Sequence, residues 1–173
     1  MNHVFWLVPG VLAGRSGPDR DPWGAEDLHA GGIGAVLSVN DGAACHAEDF
    51  TALGMSYRCI PLSDNAPPRD GDIEHCLDAL PEAYDYVRAE LDRQRGVLVH
   101  CSSGKDRTGL FMCYFLLREF DMSVDDAIAE VRRVRPIALS AEGWEQHAAA
   151  VLCSFNGVCS FNGVCSFNGV RLD

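Results

Sequence analysis

Apolar and polar positions along this chain fall into short unbroken apolar runs and longer periodic ones. AVLSV (35–39) has no polar alternation, as expected of a central strand, and GVLVH (96–100) is another strong strand. SYRCIPL (56–62) is a third strand candidate, and residues 3–14 read as two short strands around Pro9-Gly10. Pro18 to Pro22 is a loop, and Trp23 to Ala30 is a short helix ended by Gly31-Gly32. Asn40-Asp41-Gly42 ends the 35–39 strand with turn residues, and SDNAPPRDGD (63–72) is a polar, proline-rich loop. Ile73, Cys76, Leu77, Leu80, Tyr84, Val87 and Leu91 then recur at helical spacing, with Pro81 placed to kink or split that helix. Leu110 to Leu117 is apolar all round, which predicts a helix inside the core. Ser123 reads as the N-cap of a further helix with Asp125 and Asp126 in its first turn, Arg132 and Arg133 in its last, and Pro136 as its stop. Ser140 to Leu152 is the final helix.

Strands alternating with helices predict an α/β domain with a central, mostly parallel sheet flanked by helices. Ligands in such folds bind beyond the carboxyl ends of the strands. At the end of the 96–100 strand stands HCSSGKDRTG, His100 to Gly109, followed by apolar LFMCYFLL. Charge at the edge of a core needs a reason. Gly104 lets the backbone turn sharply. A tight loop feeding a helix N-terminus turns successive N–H groups inward and makes a nest for an anion. Arg107, in the first helical turn, offers a planar fork that fits two oxygens of a phosphate. The same positive field predicts that Cys101 is held as a thiolate, a nucleophile aimed at a bound phosphorus. The Thr108 hydroxyl is placed to hydrogen-bond the sulfur.

HCSSGKDRTG resembles the H-C-x5-R-[ST] signature of cysteine-dependent protein tyrosine phosphatases. Its mid-chain position in a small domain resembles the VH1-like dual-specificity branch. VFWLVPGVLAG resembles the opening strands of the atypical members, and DAIAEVRRVRP followed by a helix with Trp and Glu resembles their C-terminal part. The resemblance covers residues 1–152 and implies the dual-specificity phosphatase fold, a phosphoprotein or other phosphomonoester as substrate, and neither metal nor cofactor. By position it implies that Cys101 attacks and forms a phosphocysteine. Arg107 and the loop residues Ser102, Ser103, Gly104, Lys105 and Asp106 would cradle the phosphate. His100 would set the loop and the acidity of the cysteine, and Thr108 would assist breakdown of the intermediate. IPLSDNAPP matches the family loop that carries a general acid, which points to Asp64. A positioned acid contributes about 10²–10⁴-fold. Asp70 on the same loop is second in line; Asp106 is third and is expected to brace the loop instead. The alternative for Asp64 is a plain turn residue.

Lys105 is the only lysine beside thirteen arginines. GKDR resembles the loop of tensin-homologue-type and certain bacterial secreted phosphatases, some of which act on phosphoinositides. Ser102 stands where those loops carry a second basic residue. Two roles stay open for Lys105, contact with a second phosphate and an exposed lysine with no special part. A catalytically silent phosphate-binding module and a rhodanese-type sulfur-transfer domain are the competing classes. Arg107-Thr108 and the Asp64 loop argue against the second.

The formal net charge of −11 over 173 residues excludes nonspecific binding to nucleic acid or anionic membrane, so an anionic substrate needs a local positive field. No run is long enough to span a membrane. The apolar start lacks a basic n-region and is broken by Pro9-Gly10, so it reads as strands, and a cytoplasmic location is the expectation. The eight cysteines show no paired C-x-x-C spacing, and Cys45-His46 has no partner at ligand spacing, which argues against zinc. Cys76 and Cys113 read as buried free thiols. A nucleotide P-loop is excluded, because Val99 and Asp106 stand where its first Gly and its Ser/Thr belong. GGIG (31–34) reads as a turn. Arg132, Arg133 and Arg135 read as a solvated helix end, with a substrate groove as the alternative. His29, His75 and His147 read as surface or helix residues. CSFNGV occurs three times, at 153–158, 159–164 and 165–170, and is expected to form a flexible tail on a catalytic domain of 1–152.

Overall fold

The computed structural model describes residues 3–156 and is organised around a five-stranded sheet. Its strands are β1 (Phe5–Val8), β2 (Leu12–Ser16), β3 (Ile33–Ser38), β4 (Ser56–Cys59) and β5 (Gly96–Cys101), in the spatial order β1-β2-β5-β3-β4. β1 and β2 form an antiparallel hairpin, and every other pairing is parallel. The helices are α1 (Ala25–Ala30), α2 (Ala47–Ala52), α3 (Asp72–Asp92), α4 (Asp106–Phe120), α5 (Val124–Val134) and α6 (Trp144–Asn156). This is the α/β architecture expected, with the sheet mostly parallel.

β5 is central and entirely buried because its two faces meet two different cores. Val97, Val99 and Cys101 face the larger core, built with α3, α4, α5 and α6. Leu98 faces the smaller one, which holds Leu28 of α1 and Phe50 of α2. Period-two alternation therefore sends Cys101 to one side of the sheet and His100 to the other. Both stand at the carboxyl end of the middle strand, where the candidate site is to be sought.

Several boundaries differ from the sequence expectation for identifiable reasons. The helix with Pro81 is not split: α3 runs unbroken from Asp72 to Asp92. Cys76, Leu80, Ala83 and Val87, on both sides of the proline, are all fully buried, so packing holds one axis despite the missing N–H. β4 stops at Cys59, shortly before Pro61. The chain still runs beside β3, with Ile60 N–H donating to Ser38 O at 2.9 Å and Leu62 N–H to Val39 O at 2.8 Å, and so delivers residues 63–65 to the site. α1 starts at Ala25 and leaves Trp23 outside it. α2 carries no long apolar stripe, buries only Phe50, and escaped the periodicity reading. α6 begins at Trp144 rather than Ser140 and continues past Leu152 into the first CSFNGV unit, where Phe155 packs on Tyr114 with ring centroids 4.6 Å apart. The rest of that repetitive tail lies outside the described residues. Among the described residues no helix is long and apolar enough to cross a membrane.

Candidate active site

β5 ends at Cys101 and α4 begins at Asp106, so the chain reverses over residues 102–105. Gly104 makes the turn at φ +60°, where a Cβ would lie 2.4 Å from the Arg15 carbonyl oxygen on the adjoining β2. The carbonyls of this loop are held on its outer side. Ser102 O accepts from Gly17 N–H at 2.9 Å. Ser103 O and Gly104 O accept from the Arg135 guanidinium at 3.0 and 3.2 Å. Lys105 O accepts from Gly109 N–H at 3.1 Å and Leu139 N–H at 3.3 Å. With the C=O groups held outward, the N–H groups of the same peptides turn to the concave side at the N-terminus of α4, which gives an anion nest.

Cys101 is 1% exposed at the base of this loop, and its Sγ accepts from Thr108 Oγ1 at 3.2 Å. His100 lies across the sheet. Its Nε2 is 2.6 Å from Ser38 Oγ and 3.4 Å from Cys45 Sγ, and Trp23 packs on the ring at 5.2 Å with an 80° interplanar angle. Burial pushes the imidazole pKa down to about 4, against a smaller upward pull from the Cys101 backbone. His100 is therefore neutral near pH 7 and braces the strand end, with Nδ1 3.4 Å from Cys101 O.

Arg107 projects from the first turn of α4 to the 63–65 loop. Its Nε donates to Ser63 O at 2.7 Å and its NH2 to Asn65 O at 3.2 Å, and the guanidinium lies over the Trp144 ring, 4.6 Å from the centroid. Asp64 sits between those two carbonyls in sequence, is exposed, and accepts from Asn40 Nδ2. The structure thus brings the Asp64 loop against Arg107. Asp70 is exposed farther along the same loop. Asp106 is buried and accepts from Ala141 N–H at 3.1 Å, which ties the start of α4 to the segment before α6. Lys105 reaches sideways, with Nζ 3.3 Å from Ser140 Oγ and 3.7 Å from Asp106 Oδ2.

Sequence reasoning missed some participants. The solvated helix-end reading suits Arg133, which pairs with Glu130 at 2.6 Å, and Arg132, which pairs with Glu145 at 2.8 Å. It fails for Arg135, which is the C-cap of α5 and folds back onto the 102–105 loop and over the Phe5 ring at 5.2 Å. Pro136 was the available signal, because it places Arg135 at the end of the helix rather than on its outer face. His147 lies on a helix but is 6% exposed, edge-on to Trp144 at 5.0 Å and with Nε2 3.6 Å from Cys76 Sγ. Burial pushes its pKa down, Asp72 opposes that, and Arg107 adds to it. Asn40, Asn65 and Trp144 also converge here, and no spacing rule joins them. Among the described residues no group of three or more His, Cys, Asp or Glu side chains is placed to hold a metal ion.

The dual specificity phosphatase catalytic domain matches residues 26–147, well over half of the chain. The chain belongs to the dual-specificity phosphatase family. Human dual specificity protein phosphatase 16 is 30% identical over 130 residues, which is 75% of this chain and 18% of that protein. The chain spans only 18–30% of the length of the first curated relatives it matches. Among solved structures, the active form of Tk-PTP superposes with a TM-score of 0.69 at 19% identity, covering 87% of this chain and 97% of that one. Human DUSP28 superposes at 0.67 and 18% identity, covering 90% and 97%. These two likenesses carry the fold.

Proposed function

We propose that this dual-specificity phosphatase family member hydrolyses phosphomonoesters, with phosphorylated protein side chains as substrates, through a phosphocysteine intermediate on Cys101. The Cys101 sulfur attacks phosphorus as a thiolate, and the bond from phosphorus to the ester oxygen breaks. Asp64 gives its proton to the departing oxygen, and Arg107 with the loop N–H groups holds the equatorial oxygens. Water then attacks phosphorus and returns a proton to Asp64. The S–P bond breaks, and Thr108 receives the sulfur as a hydrogen-bond donor. His100 acts from behind as a neutral brace. The observation that carries this reading is the Thr108–Cys101 hydrogen bond of 3.2 Å under a loop whose carbonyls are all engaged on the outside. Two further readings share the loop: hydrolysis of phosphoinositides, for which Lys105 would supply the extra charge, and a silent phosphate-binding module.

The test is phosphate release in EDTA and reductant from a phosphotyrosine peptide, a phosphothreonine peptide and a soluble phosphoinositide, with Cys101→Ser as the blank. Release from the peptides that disappears in the blank is the expected result. Preference for the inositol lipid would move the substrate assignment, and no release from any of them would leave the silent module.

A further inference from the structure

Asp72 opens α3 and is 7% exposed. An acid in a first helical turn is ordinarily satisfied by water and helix N–H groups. This carboxylate is spent on the loop before it. Asn65 Nδ2 donates to both oxygens, at 2.8 and 3.0 Å, and Arg69 N–H donates to Oδ2 at 2.6 Å. Asn65 in turn offers its carbonyl to Arg107 NH2 at 3.2 Å and to Trp144 Nε1 at 3.0 Å, while Ser63 O takes Arg107 Nε. Asn65, on one flank of Asp64, is thus tied both to Asp72 and to Arg107, and Ser63, on the other flank, is tied to Arg107.

We propose that Asp72 is a positioning residue for the general acid: through Asn65 it closes the 63–72 loop into a clip that fixes the peptide bearing Asp64 against Arg107. The proposal rests on the reading of Asp64 as the acid. A carboxylate that only starts α3 would need no partner seven residues upstream, and its loss would cost stability without sensing the substrate's leaving group. A clip that aims the acid predicts the reverse, because proton donation matters most where the departing oxygen is basic.

The experiment compares kcat/KM of the full chain for a phosphotyrosine peptide, whose leaving phenol is basic, and for 4-nitrophenyl phosphate, whose leaving phenol is acidic. Asp72→Asn puts amide hydrogens against an Asn65 group that already donates. It should lose about 10- to 100-fold on the peptide and markedly less on the nitrophenyl ester. Asn65→Ala, at a half-buried site, is the second variant if Asp72→Asn does not fold, and the same split is expected. The reciprocal double variant Asn65→Asp/Asp72→Asn exchanges donor and acceptor and should recover most of the peptide activity. Adding Asp72→Asn to Asp64→Asn should produce no further leaving-group discrimination. Equal losses on both substrates, or no recovery in the double variant, would overturn the proposal while a leaving-group split in Asp64→Asn keeps the acid assignment. No split in Asp64→Asn itself would overturn both.

Discussion

Gly104 shows how a single residue decides whether the loop between β5 and α4 can form. Its φ of +60° alone costs a side-chain-bearing residue about 1–2 kcal/mol. The added Cβ would also press on the backbone of Arg15 and Ser16, at 2.4 and 2.6 Å, which β2 pairing to β5 prevents from yielding. Gly104→Ala should therefore lower Tm and remove most of the affinity for vanadate, both readable in one calorimetric series. Unchanged vanadate binding would mean that the loop does not need this turn. The requirement for glycine was legible in the sequence, as was the pairing of Cys101 with Thr108. The contact that makes it strict was not, because Arg15 is far away in the chain and meets the loop only through the sheet.

At the scale of elements, α5 acts on the site through its last residue. Arg135 caps the helix, and its guanidinium bonds to two carbonyls of a loop that belongs to another element. Hydrogen bonds involving a charged group are worth about 1.5–3 kcal/mol each, and half-burial of the Arg135 guanidinium puts this pair toward the low end. Arg135→Met should keep α5 folded, judged by far-UV circular dichroism, and weaken vanadate binding by roughly tenfold, the equivalent of about 1.4 kcal/mol. Intact affinity in that variant would reduce Arg135 to a packing residue. The element pattern hid this role because a run of arginines at a helix end is normally solvated, and Arg133 obeys that rule. α3 gives the opposite lesson. Its proline argued locally for a break, and the buried stripe on both sides of Pro81 overrode it.

The whole molecule responds to acid through groups it buries. His100 titrates at about 4 in the fold against an ordinary value near 6.5. The unfolded chain therefore takes up a proton first as pH falls, and the fold loses stability from about pH 6.5 downward until His100 itself protonates near 4. That difference amounts to about 3 kcal/mol. His147, also lowered by burial, adds loss of the same sign. Below about pH 4 the carboxylates Asp72 and Glu145 extend it. Desolvation works to raise Asp72, but its hydrogen bonds outweigh that and lower it, while the Arg132 hydrogen bond lowers Glu145. Urea midpoints measured from pH 8 to 4 should fall most steeply between 6.5 and 4, and His100→Gln should flatten that slope. A midpoint independent of pH over this range would contradict a buried neutral imidazole.

The sequence by itself determined the fold class, the apolar strand at 96–100 and the placement of Cys101 and Arg107 on the loop after it. Those features are local: an unbroken apolar run, a glycine turn, and a cysteine and arginine spaced to share one loop. Tertiary structure alone decided which side chains finish the site. Asn65 meets Asp72 across a folded loop, Trp144 arrives from α6 to cover Arg107, and Arg135 returns from α5 to hold the carbonyls. The physical reason is that each contact is made by chain folding and not by spacing: Trp144 and Arg135 come from other helices, and Asn65 meets Asp72 only because the loop between them turns back. Periodicity records which face of an element is buried, and it carries no record of which distant hydrogen-bond partner burial will supply.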